Sequence, residues 1–114
     1  MQTDERGEIK TLTIENGAAV SSTFFLPRWD AFVGILLPDI DAGPVGMEVS
    51  FDGSNFFPVL DIVDGDDIII CANGADPGWI DVSDVLKALP PKALIRLTTA
   101  VQSALRTIYV SFRY

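Results

Sequence analysis

From residue 45 the chain reads VGMEVSF, and its apolar positions fall on every second residue: Val45, Met47, Val49 and Phe51, with Gly46, Glu48 and Ser50 between them. Side chains alternate faces in extended chain, so a period of two predicts a strand with one buried and one wet face. The same reading predicts strands over 8–14, 20–26, 32–37, 45–51, 55–60, 68–72, 93–99 and 106–114. Turn signals divide them: Asn16-Gly17, PDIDAGP at 38–44, Asp52-Gly53 and DIVDGDD at 61–67, with an irregular loop expected over 73–80. FVGILL at 32–37 is apolar on both faces, which predicts a central strand. Pro58 removes a ladder donor, so 55–60 belongs at an edge. The segment 106–114 is expected to be well paired, with Ile108, Val110, Phe112 and Tyr114 inward. Only DVSDVLKAL, 81–89, has helical spacing, with Val82, Val85, Leu86 and Leu89 on one face, Asp81 or Ser83 as cap, and Pro90-Pro91 as stop. The sum is a mostly β fold: an antiparallel two-sheet sandwich, jelly-roll-like, with one short helix. A polar arm over 1–7, suited to reach a neighbour, precedes a single domain over 8–114. The predicted core is Phe32, Ile35, Val45, Met47, Val49, Phe51, Ile69, Ile95, Leu97, Ile108, Val110 and Phe112.

Composition sharpens this picture. The chain has 114 residues, 48% of them hydrophobic, which is high for a single small domain. The longest apolar run, residues 31–37, falls far short of the roughly 18 residues of a membrane helix. The opening MQTDERGEIK has neither the basic start nor the apolar centre of a signal peptide, so a protein used without secretion is expected. The surplus apolar surface then belongs in the core or in an assembly.

The net charge of −8 disfavours nucleic acid, because no basic stripe exists to displace phosphate counterions. Charge is also unevenly placed. Residues 30–84 hold no Lys or Arg, while 87–114 hold Lys87, Lys92, Arg96, Arg106 and Arg113 and no carboxylate side chain. The two halves can pair within one fold or between subunits.

Candidate chemistry is sparse. With no histidine, His triads, His metal sites and His proton shuttles are excluded. Cys71 is the sole cysteine and reads as a small buried hydrophobe. Asp61, Asp64, Asp66 and Asp67 are hard oxygen ligands in principle, but they lack EF-hand spacing and read as a solvated turn. No catalytic residue, cofactor or metal site is predicted. Trp29 and Trp79 flank strand edges, where aromatics either cover the core or stack on sugar rings. Phe24-Phe25 and Phe56-Phe57 are neighbours in extended chain, so one of each pair turns inward and the other needs a cover. The interface candidates are therefore Phe24, Phe25, Trp29, Phe56, Phe57 and Trp79, with Arg96 and Arg113 from the basic end.

Four segments carry a family resemblance: STFFLPRWDAFVGILLP at 22–38, GMEVSFDGSNFFPVLD at 46–61, DVSDVLKALPPKALIRL at 81–97 and RTIYVSFRY at 106–114. Their order resembles that of a group of small bacteriophage virion proteins, over most of the chain from residue 22. The resemblance implies a β-sandwich in a phage particle: a head decoration (cement) protein binding the major capsid protein or another virion protein, as a homo-oligomer. It offers no catalytic residues. A neck or tail component is the nearest alternative, and a carbohydrate-binding module is the alternative from a different class. Neither nucleic acid nor membrane is an expected partner.

Overall fold

A computed structural model describes residues 7–28, 31–61, 63–90 and 92–114. Two antiparallel sheets face each other. The larger joins β1 (Gly7–Ile14), β2 (Phe32–Leu37), β5 (Gly78–Asp81) and β7 (Arg106–Arg113) in the order β1-β7-β2-β5. The smaller joins β3 (Gly46–Ser50), β4 (Phe57–Pro58) and β6 (Leu94–Thr98) in the order β4-β3-β6. The expected two-sheet sandwich is therefore present, with seven strands among the described residues rather than the eight of a jelly roll. As expected, β2 and β7 are central, and Pro58 sits on an edge strand.

Period two explains the core. Leu12 and Ile14, Val33, Ile35 and Leu37, and Ile108, Val110 and Phe112 point inward from the large sheet. Met47, Ile95 and Leu97 meet them from the small sheet, and all belong to one buried cluster. The helix α1 spans only Ser83–Leu86, and its N-cap is Val82, with no side-chain cap bond. Asp81 and Ser83 do other work: Asp81 Oδ1 accepts from the Ser83 amide at 3.0 Å, and Ser83 Oγ accepts from the Val33 amide at 2.8 Å. Val82 and Leu86 are buried, with Val85 and Leu89 packed beside them, so the predicted face holds.

Four expected core residues are corrected. Phe32 is 64% exposed. It lies three residues from Ile35, so in a strand the two cannot share a face. Phe51 is 74% exposed because the strand ends at Ser50, whose Oγ accepts from the Gly53 amide at 2.9 Å and starts the turn. Ile69, outside the strands, is exposed, and Val49, next to the last residue of β3, is only half-buried.

Two predicted strands are not continuous. Over 20–26 the bridges Val20↔Thr98 and Phe24↔Ile95 differ in register by one residue, a bulge, and Ser22 turns its amide to Thr13 O at 2.8 Å. This segment thus ties β6 to β1 and closes one side of the sandwich. Over 68–72 the chain passes from Val59 to Val45, bridging each only briefly, and Cys71 is half-buried. Conversely, the end of the expected loop 73–80 forms β5. Gly7, assigned to the arm, opens β1 opposite Arg113, and residues 1–6 lie outside the described residues. Among the described residues no helix is long and apolar enough to cross a membrane.

Candidate functional site

The acidic middle and the basic end meet inside the chain. Arg96 donates from Nε to Glu48 Oε1 at 2.8 Å, with Nη2 at 2.7 Å from the same oxygen, and its guanidinium lies 3.8 Å from the Phe56 ring centroid. Glu48 and Arg96 are cross-strand partners on the outer face of the small sheet, so register alone brings them together. Arg106 is paired with Asp41, which also accepts from the Ser103 amide at 2.9 Å. The buried Gln102 holds this corner, accepting from the Asp41 amide at 2.9 Å and donating to Ala100 O at 2.8 Å. Ser103 and Arg106 hold the Asp41 carboxyl below the usual carboxylate range.

These bonds sort the interface candidates. Phe24 is a core residue, its ring 6.0 Å from that of Phe112, so it is withdrawn as a surface candidate. Arg96 is already committed to Glu48 and Phe56, and Phe56 is half-covered by it. Trp29 lies outside the described residues. Phe25, Phe57 and Trp79 are exposed, as is Arg113, which forms no ion pair among the described residues. The first doubled phenylalanine divides as the strand period requires, Phe24 in and Phe25 out, but neither ring of the second enters the core: Phe56 precedes β4 and lies against Arg96 on the outer face of the small sheet, and Phe57 is open.

The exposed aromatics gather in two places. At one end of the small sheet Phe51 stands between two cavities. One, of about 190 Å³, is walled by Val49, Phe51, Asn55 and Phe57. The other, of about 460 Å³, is walled by Phe25, Phe51, Lys92 and Leu94. Asp52 borders both and is fixed there, accepting from the amides of Asn55 and Ser54 at 2.8 Å each, which drives its carboxyl well below the usual range.

The second place is the outer face of the large sheet. Its register rows set Leu36 beside Trp79 and Tyr109, and Gly34 beside Asp81 and Ser111. Ile9, Phe32, Leu36, Trp79 and Tyr109 are the exposed apolar side chains of this face, with Asp81 and Ser111 as polar groups among them. Over it lies a cavity of about 300 Å³ bounded by Phe32, Gly34, Trp79, Asp81, Ser111 and Arg113. Phe51, Gly34 and this cavity were not singled out from sequence as surface features. A glycine inside an apolar strand, FVGILL, was the available signal, because it marks close approach of another group. Asp61 and Asp64 accept from amides two residues onward, as a turn demands, and no carboxylate group suited to a metal forms among the described residues.

Comparison with family models, curated proteins and solved structures finds no match to this chain.

Proposed function

We propose that this chain is a non-enzymatic structural protein of a bacteriophage particle, a head decoration protein that packs through its phenylalanine end onto a neighbouring virion protein. The observation that carries the reading is the convergence of Phe25, Phe51 and Phe57 around two cavities on one small fold. Phe51 and Phe57 are 74% and 65% exposed, and apolar side chains so displayed together mark an interface. Covering three such rings contributes on the order of several kcal/mol. The segment-level resemblance to small virion proteins gives that interface its setting.

The test is sedimentation of the purified protein with capsids, followed by mass spectrometry to count copies per particle. The intact chain is expected to co-sediment at a fixed stoichiometry, and the F51S/F57S variant to stay folded and remain in the supernatant. Equal occupancy by that variant would overturn the role of the phenylalanine end. Recovery with tailed particles but not with tail-free heads would replace head decoration with a neck or tail position.

A further inference from the structure

Gly34 sits in the middle of the central strand β2, where a glycine weakens a sheet. The cost has a visible reason. A Cβ on residue 34 would fall 2.0 Å from Trp79 Cζ2 and 2.3 Å from Cη2, so the six-membered part of the indole rests directly on the Gly34 backbone. Trp79 is nevertheless 59% exposed. Its ring is positioned by backbone contact rather than by burial, which leaves indole surface open to solvent.

We propose that the cavity over Gly34 is a binding site for one neutral sugar ring, seated against Trp79. The polar groups around it decide the class of ligand. Asp81 is anchored by the Ser83 amide and retains further acceptor capacity on its carboxylate. Arg113 supplies a guanidinium with no ion pair among the described residues, and Ser111 supplies a hydroxyl. An apolar side chain from a protein partner would leave these groups dry and unbonded, a cost of order 1–3 kcal/mol each. An anion would face Asp81 and a cation would face Arg113. A neutral polyol satisfies both, with hydroxyls at its edge and an apolar C–H face for the indole. The chain's net charge of −8 also opposes long-range capture of a polyanionic glycan. A volume of about 300 Å³ is at the small end for ligand pockets and suits one ring of a larger chain. This site is separate from the phenylalanine end, so a virion protein can hold both.

The experiment is an NMR titration of the isotopically labelled full chain with glucose, galactose, mannose and N-acetylglucosamine and their short oligomers. At least one sugar is expected to bind with a dissociation constant on the order of 1 mM. Shifts should concentrate at the Trp79 indole, Gly34, Asp81, Ser111 and Arg113. Trp79→Ala should weaken binding at least about tenfold, and Arg113→Ala about threefold to tenfold. Both substitutions are on an exposed face, so folded spectra are expected. F51S/F57S should bind sugar like the parent, which separates failure here from failure of the capsid reading. The proposal is overturned if no sugar shifts these signals, or if W79A binds as well as the parent. It is equally overturned if the parent self-associates through this face, W79A is monomeric, and neither binds sugar.

Discussion

Phe51 and Phe112 are the same residue type with opposite fates, and the difference is one strand end. Phe112 is paired on both sides, with β1 and with β2, and Phe51 lies one residue beyond the last pair of β3. Phe112→Ala is expected to cost about 3–5 kcal/mol in urea unfolding, whereas Phe51→Ala should cost less than about 1 kcal/mol. A large loss at Phe51 would mean that its ring is covered. The carboxylates make a second residue-scale prediction. Asp52, Asp41 and Asp81 are all more acidic in the fold than their ordinary value of 3.8, through the amides of Asn55 and Ser54, through Ser103 and Arg106, and through the Ser83 amide respectively. The unfolded chain therefore binds more protons in acid. Their stabilisation is complete above about pH 5 and is lost as pH falls through the folded values. Melting curves from pH 7 to pH 2 should show this decline, and Asp52→Asn should flatten part of it.

At the scale of elements, the strands were legible where one residue in two is apolar and a turn residue closes the run. That covers β1, β3, β6 and β7, while β2 was legible as an unbroken apolar run stopped by Pro38. It failed where pairing changes partner, because the bulge at residues 20–24 and the crossing at 68–71 are set by the neighbouring strands and leave no periodic trace. It also failed at β5, whose four residues GWID are too few to show alternation beside Asn73-Gly74 and Pro77-Gly78. The candidate sites were legible to the same depth. The doubled phenylalanines predicted one inward ring apiece, which holds for Phe24 and fails for Phe56 and Phe57, and β2 is apolar on both faces, so its pattern could not say which face is outer. Gly34→Ala tests the β2–β5 pairing: the indole must leave its seat, the Trp79 indole NMR signal should move toward that of an unstructured chain, and stability should fall. Unchanged spectra would show that the ring has another support.

For the whole molecule, charge and apolar surface act in opposite directions. The cationic partners Arg96 and Arg106 are used inside the fold, half-buried against Glu48 and Asp41. What remains outside is a strong excess of carboxylates, whose mutual repulsion salt screens within about 10 Å at 0.1 M. Added sodium chloride is therefore expected to raise the melting temperature, and a fall would mean that surface ion pairs outweigh the repulsion. The same screening should favour contact between open apolar patches, so light scattering ought to report more association at higher salt.

The central place of β7 has a consequence in time. Both of its neighbours, β1 and β2, precede it, and the pair Gly7↔Arg113 joins residues about a hundred positions apart. At roughly 5–20 residues per second of synthesis, β1 waits about five to twenty seconds for the strand that completes its ladder. During that wait β2 presents apolar side chains on both faces and an unpaired edge toward its missing neighbour. The nascent chain is thus most exposed to misassociation before β7 emerges, and yield during rapid expression should depend on chaperone supply more than the finished protein's stability would suggest.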